Sequence, residues 1–293
     1  MANPTIDAKQ FIGRDLGTVT ILEEIGRGAS GAVFLGFQRT LKRQVAVKVM
    51  LKSSRTNETS REQFRQEAEM VAVLSHPNII PIFEMGEGDD CYYQVIQVVQ
   101  GQDLDTMIRR RLKNPIPARR LLPRDESISM MVQILDGLGY AHSEGVVHQD
   151  IKPANVLVEK RMGRPLIADF GIARTRRSEI SREGVVVGSP LFMAPEQVAN
   201  KETDQRTDIY SAGVVLYQML AGVLPVAEKE PMRLLVKKIE APGTEFTVAP
   251  SKASPLIDTE LEAIILHAIA PSADKRYGSC EEMARDLQSY SKG

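Results

Sequence analysis

Asp150, Lys152 and Asn155 stand within six residues of one another in "VVHQDIKPANVLV", residues 146–158, between two runs of β-branched apolar side chains. Pro153 keeps this segment from becoming a regular helix, so the side chains of Asp150 and Asn155, five positions apart, can converge on one point. Fourteen residues beyond Asn155, "LIADFGIAR" presents a further acid, Asp169, at the end of an apolar strand. The Asp169 carboxylate and the Asn155 amide oxygen are hard oxygen donors of the kind Mg²⁺ takes when phosphates and water complete its octahedron. Each acid alone would read as a turn residue; their combination points to chemistry on phosphate.

A second group of residues lies upstream. "GRGASGAV" sets Gly26, Gly28 and Gly31 in a G-x-G-x-x-G spacing that lets backbone N–H groups approach phosphates without Cβ interference. A dinucleotide-binding fold would open a helix after these glycines, whereas "AVFLGF" alternates as a strand does, so the loop reads as the turn of a β-hairpin. Taken alone, the spacing also fits a merely flexible hairpin. In "QVAVKVM", Val45, Val47 and Val49 share one strand face, and Ala46, Lys48 and Met50 the other. Lys48 is flanked by apolar neighbours on its own face, so it either snorkels at an edge or is held in a cleft by an anion, and the preceding glycine loop favours the second. In the helical pattern "REQFRQEAEMVAVLSH", opened by Ser60 and Gln63 at capping-box spacing, Glu67 falls inside the stripe of Phe64, Ala68, Val71 and Leu74. An inward carboxylate calls for a cation, and Lys48 is the candidate.

These side chains must be positioned by two kinds of structure. Up to about residue 100 the chain reads mainly as short strands: "TVTILEEIG", "AVFLGF", "QVAVKVM" and "YYQVIQVV". From about residue 125 the periodicity is mostly helical, in "DESISMMVQILDGLGYAHSEG", residues 209–220 and "DTELEAIILHAIA". A small sheet-rich lobe followed by a larger helical one is expected, with a cleft as the natural ligand site. "IYSAGVVLYQMLAGVLPVA", residues 209–227, approaches the length of a membrane span but carries Gln218 and Pro225, and reads better as a buried helix. The segment 109–124, "RRRLKNPIPARRLLPR", has seven basic residues and no acid, and reads first as a solvated connection.

Bulk composition narrows the classes. With 293 residues and 43% apolar content the chain can bury a sizeable core. Lys and Arg total 37 against 38 Asp and Glu, a formal charge of −1 that argues for neither a nucleic acid partner nor a membrane surface. Cys91 and Cys280 lie too far apart in sequence to suggest a disulfide framework or metal cluster, and suit a reducing compartment. The N-terminal stretch lacks a signal-type apolar core, so a cytoplasmic location is expected, alone or as the cytoplasmic part of a longer membrane-anchored protein.

"GRGASGAV", "VAVK", "HQDIKPAN", "DFG" and "APE", in that order, resemble the catalytic domain of Hanks-type, or eukaryotic-like, protein kinases, and most closely the bacterial serine/threonine members. The resemblance runs from about Thr18 to Tyr290. It implies an α+β bilobal fold: an N-terminal extension over 1–17, a small antiparallel-sheet lobe with one long helix over 18–99, and a mainly helical lobe over 100–293. It implies ATP and Mg²⁺, with Mn²⁺ as an alternative, and transfer of the γ-phosphoryl group to serine or threonine hydroxyls of proteins in bacterial signalling. Autophosphorylation through self-association would belong to the same activity.

The resemblance also implies roles. Gly26, Gly28 and Gly31 would cover the phosphates, Lys48 would hold the α and β phosphates, and Glu67 would fix Lys48. Ile25, Val33, Ala46 and Leu157 would enclose the adenine, with Gln97 and Val99 in the hinge and Ile96 guarding the pocket behind. Asp150 would orient the acceptor hydroxyl and take its proton, Lys152 would stand near the transferred group, and Asn155 and Asp169 would hold the metal. Lys152 and Ser189 match the serine/threonine branch, and "GSPLFMAPE" the platform on which a substrate peptide lies. His148 would pack under Phe170, Glu196 would pair with Arg276, and Asp208 would hold the backbone of the catalytic loop. Thr175, Ser178 and Ser181 are candidate phosphorylation sites. The chain departs from many relatives at Gln149, where an arginine grips an activation-loop phosphate; an uncharged amide cannot form that charge-assisted pair.

Overall fold

The computed structural model describes residues 7–28, 31–52, 71–170, 190–226 and 228–291. Internal contacts divide the chain into two compact units, one holding residues 80–100 and most of the chain before His76, the other holding residues 76–79, 101–171 and 176–293. Ser60, Gln63, Phe64, Glu67, Ala68, Thr175, Ser178, Ser181 and Ser189 lie outside the described residues.

The first unit is built on an antiparallel sheet. Its strands are β1 (Asp15–Leu16), β2 (Val19–Gly28), β3 (Gly31–Gln38), β4 (Arg43–Leu51), β5 (Ile82–Glu87) and β6 (Cys91–Ile96), in the order β1-β2-β3-β4-β6-β5. The alternation in β4 puts Val45, Val47 and Val49 in one apolar cluster with Phe11, Phe34, Tyr93 and Val95. β-Branched side chains suit such a pleated surface because their restricted rotamers pack against cross-strand neighbours. Ala46, Lys48 and Met50 point to the opposite face and are buried too. The strand expected to reach residue 99 stops at Ile96, which leaves residues 97–99 as irregular backbone.

The second unit carries a small sheet, β7 (Gly101–Asp103), β8 (Val156–Glu159) and β9 (Pro165–Ile167), in that order. Its helices are α1 (Leu104–Leu112), α2 (Arg124–Ser143), α3 (Pro195–Val198), α4 (Gln205–Ala221), α5 (Pro231–Glu240), α6 (Pro250–Ala253), α7 (Thr259–Ala268) and α8 (Cys280–Tyr290). The former membrane candidate is α4, which is buried around nearly its whole circumference. A helix apolar on all sides must be enclosed, and here protein encloses it. Among the described residues no helix is long and apolar enough to cross a membrane. Asp204 caps the start of α4 by accepting from Arg206 N–H, and Gly222, at φ 80°, ends it in the left-handed region that glycine reaches without strain.

A bidentate ion pair joins α3 to the chain before α8. Arg276 Nη1 and Nη2 donate to Glu196 Oε1 and Oε2 at 2.6 and 2.8 Å. Its remaining N–H groups reach the carbonyls of Ala270, Arg206 and Pro271, so every guanidinium donor is used. Burial would raise the Glu196 pKa, but the bonds and charge of Arg276 outweigh it and hold the carboxyl below its ordinary value. The pair therefore contributes stability that is complete above the ordinary glutamate pKa and is lost as pH falls through the lower folded value. Arg276→Met strands the Glu196 charge and is expected to cost about 3–5 kcal/mol. Urea unfolding at neutral pH measures this, and a loss under about 1 kcal/mol would place the pair among surface bridges of little weight.

Candidate active site

In the first unit, the register of the sheet aligns the residues singled out in the sequence. Gly26 pairs with Val33, Val33 with Lys48, and Lys48 with Gln94; two rows away Ala46 pairs with Ile96. Val33, Ala46, Lys48 and Ile96 therefore share one face of the sheet. Lys48 is 8% exposed. Ile25 lies at an irregularity of β2 and is 50% exposed. Gln97 follows the last strand and donates its backbone N–H to Pro81 O at 3.4 Å, and Val99 lies two residues further on.

The three glycines differ in what demands them. Gly31 has φ 149°, and a Cβ there would run into the backbone carbonyl of Val49, so the fold itself requires glycine. A Cβ on Gly28 would meet nothing within 4 Å, and one on Gly26 would touch only Val33 Cβ at 3.9 Å. Neither of these two has positive φ, so neither packing nor backbone conformation requires glycine there.

In the second unit, the segment after α2 is held from α4. Asp208, 0% exposed, accepts from His148 N at 2.8 Å through Oδ2 and from Gln149 N at 2.7 Å through Oδ1. His142 Nε2 reaches the same Oδ2 at 2.8 Å. Cys280 lies 3.6 Å from the other ring nitrogen of His142, and burial, with Asp208 and Glu281 nearby, pushes its thiol well above the ordinary value. A carboxylate oxygen only accepts, so His142 Nε2 carries the hydrogen of its bond to Asp208. Gln149 takes φ 63°, a conformation uncommon for a residue with a side chain, and its carbonyl accepts from Gln197 Nε2 at 2.8 Å.

His148 links this segment to the third strand. Asp150 N donates to its Nδ1 at 3.2 Å, and its Nε2 faces Ala168 O at 3.0 Å. An amide N–H only donates and a carbonyl only accepts, so the tautomer is neutral with hydrogen on Nε2. The ring centroid of His148 lies 4.5 Å from that of Phe170. Ala168 N donates in turn to Asn155 O at 2.8 Å. Ala168 is thus held through both its N–H and its carbonyl, and this double hold places Asp169, at φ 61°, beside the 3-10 turn Pro153–Asn155.

Asp150 Oδ2 accepts from Lys152 Nζ at 2.8 Å and from Asn155 Nδ2 at 3.1 Å; Asn155 Nδ2 also reaches Asp150 O at 2.8 Å. With its amide nitrogen committed to Asp150, Asn155 keeps an oxygen to offer a cation. That oxygen and the Asp169 carboxylate are hard oxygen donors, of the chemistry that could hold a divalent metal. Leu157 follows on β8, paired with Asp103 of β7 and Leu166 of β9. Sequence reasoning had no hold on His142, Gln197 or Ala168, because their roles come from partners more than ten residues away or from backbone atoms that carry no sequence signal.

The protein kinase domain family matches residues 19–287. The chain is 34% identical over 284 residues to the probable serine/threonine-protein kinase CPE1738 of Clostridium perfringens, an alignment covering 96% of this chain and 40% of that protein. It is 33% identical over 280 residues to the serine/threonine-protein kinase PrkC of Bacillus subtilis, covering 95% and 41%. The crystal structure of the PknI kinase domain of Mycobacterium tuberculosis, in a cysteine-to-alanine form, is similar with a TM-score of 0.74 at 26% identity, covering 95% of this chain and 98% of that one. The chain belongs to the protein kinase domain family. It spans about two fifths of the length of these curated relatives. The family implies use of a divalent metal.

The contrast among the glycines is testable. Gly31→Ala is expected to lower the unfolding midpoint clearly, whereas Gly28→Ala should fold as the parent does and raise the KM for ATP. Thermal unfolding beside ATP-dependent kinetics measures both, and a Gly28→Ala protein as destabilised as Gly31→Ala would remove the distinction.

Proposed function

We propose that this domain transfers the γ-phosphoryl group of ATP to serine and threonine hydroxyls of protein substrates, with Asp150 as the proton acceptor. The observation that carries this reading is the fixed carboxylate: Asp150 Oδ2 is held by Lys152 Nζ and Asn155 Nδ2, so the group that must accept a proton is already oriented. Lys152 stands where its ammonium neutralises charge on a phosphoryl group in transfer, a reaction that needs in-line placement and neutralised oxygens more than covalent help. Asn155 and Asp169 hold Mg²⁺, or Mn²⁺ in its place, which when bound neutralises the phosphate oxygens. Gly26, Gly28, Gly31 and Lys48 bind the phosphates, with Glu67 fixing Lys48; Ile25, Val33, Ala46, Ile96, Gln97, Val99 and Leu157 contact the base.

The domain acts in the cytoplasm in bacterial signalling, and its buried, unbridged Cys91 and Cys280 suit that reducing setting. Its partners are proteins offering a hydroxyl, a second copy included for autophosphorylation at Thr175, Ser178 or Ser181. Neither nucleic acid nor a membrane surface is a partner of this chain.

Incubation with labelled ATP, Mg²⁺ and a generic basic protein, beside Asp150→Asn, tests the assignment. The amide that replaces the carboxylate in this variant cannot take up the proton, so labelling should fall by about 10²- to 10⁴-fold. Equal labelling by the two proteins would remove Asp150 from the mechanism. Gln149 supports a further expectation, because its neutral side chain reaches Thr203 Oγ1 at 3.4 Å and lacks the charged fork that grips a phosphate. Phosphatase treatment should leave the rate of substrate phosphorylation largely unchanged, and a large fall would make an activation-loop phosphate essential after all.

A further inference from the structure

The segment 191–194 has no regular secondary structure, yet buried side chains from three helices hold its backbone. Lys238 Nζ, on α5, donates to Leu191 O at 3.0 Å and Met193 O at 2.6 Å. Ser211 Oγ, on α4, donates to Phe192 O at 2.8 Å. Gln197 Oε1, on α3, accepts from Ala194 N at 2.9 Å, while its Nε2 holds Gln149 O beside Asp150. Three successive carbonyls and the following N–H are thus each matched to a side chain.

Lys238 is the least expected of these. It is 0% exposed, although a lysine is almost never fully buried without partners. All three of its ammonium hydrogens have acceptors, the third being Tyr210 Oη at 3.3 Å. Tyr210 donates onward to Glu245 Oε1 at 2.7 Å. One helical turn before Lys238, Leu235 packs with Met193 and Val198, so the same face of α5 supplies both apolar and charged support to the segment.

We propose that Lys238 is a positioning residue for the protein substrate: from α5 its ammonium fixes the backbone of residues 191–194, on which the residues flanking the acceptor hydroxyl lie. This rests on the kinase reading above, in which "GSPLFMAPE" is the peptide platform. An uncharged side chain of similar length would leave the carbonyls of Leu191 and Met193 without their donor and let the segment relax. Binding of peptide would suffer, and binding of nucleotide, held by other residues, would not.

The site also carries its own titration. Burial lowers the Lys238 pKa to about 8, with Glu245 acting in the opposite direction. The charged or titratable groups facing it are Glu245 from the loop before α6, Arg276 from the chain before α8, Glu196 from α3 and Tyr210 from α4. Of these, Tyr210 is pushed well above its ordinary value by burial and the Glu245 charge, and keeps its proton. As pH rises through about 8, Lys238 loses its charge and its bonds to the platform weaken to neutral ones.

Steady-state kinetics of the wild type and Lys238→Met, varying protein substrate and ATP separately across about pH 7 to 9.5, test the assignment. Lys238→Met should raise the KM for protein substrate by about tenfold while the KM for ATP stays within about twofold. The wild-type substrate KM should climb above about pH 8 and the variant's should stay flat. An unchanged substrate KM, or an equal loss in both KM values, overturns the role. Should the variant fail to fold, a wild-type substrate KM without that climb overturns it equally. A wild type that transfers no phosphate at all defeats the kinase reading instead, so the two failures are distinct.

Discussion

The buried carboxylate of Asp208 is the constraint on which the candidate catalytic segment depends. A charged group removed from water is tolerated only when its oxygens are filled, and here two consecutive backbone N–H groups and one imidazole N–H fill them. The demand runs in both directions. His148 and Gln149 have N–H groups that no strand or helix ladder uses, and Gln149 takes a left-handed backbone that would be costly if nothing held it. Because Asp208 sits in the first turn of the most enclosed helix of the unit, the segment is referred to the core and not to a surface loop. His142 and Cys280 extend the same hold to α2 and α8.

From that anchor the geometry passes outward through neutral groups. The His148 ring accepts from Asp150 N–H on one side and donates to Ala168 O on the other, so one imidazole spaces the catalytic segment from the residues that follow β9. A histidine in this role must stay uncharged, since a second ring proton would face an amide N–H. Asp150, Asn155 and Ala168 are thus tied together by a chain of hydrogen bonds that runs through His148 and the backbone.

Much of this was legible in the sequence because it follows from short spacings. The two faces of β4, the enclosed character of α4 and the convergence of Asp150 with Asn155 each come from period-2, period-3.6 or proline rules acting over a few residues. The long pairs were a different matter. Glu196 with Arg276 and Asp208 with the catalytic segment followed from the family resemblance alone, since nothing local in "APEQ" or "TDIY" names a partner dozens of residues away. Lys238 was not legible at all. In "LLVKKIE" two adjacent lysines look alike, and only the turn of α5 buries the second while leaving the first accessible. The halt of the strand at Ile96 was likewise hidden, because "QVIQVV" keeps its apolar character past the point where pairing ends.

The same contrast between local and distant demands separates residues that serve the fold from residues free to serve a ligand. Gly31 is fixed by its neighbour strand, and its φ and the Val49 carbonyl suffice to account for it. Gly26 and Gly28 have room for a methyl group and ordinary backbone angles, and glycine there gives up conformational entropy for no gain in packing. Lys48 poses the reverse case. It stands in a row of β-partners between Ala46 and Met50 on its own face, and a charged side chain is buried at that position. Where the fold would accept a less costly residue and the sequence holds a more costly one, the residue is kept for what it does and not for what it supports. Two glycines on β2 and a lysine on β4, either side of β3 in one sheet, are residues of this kind.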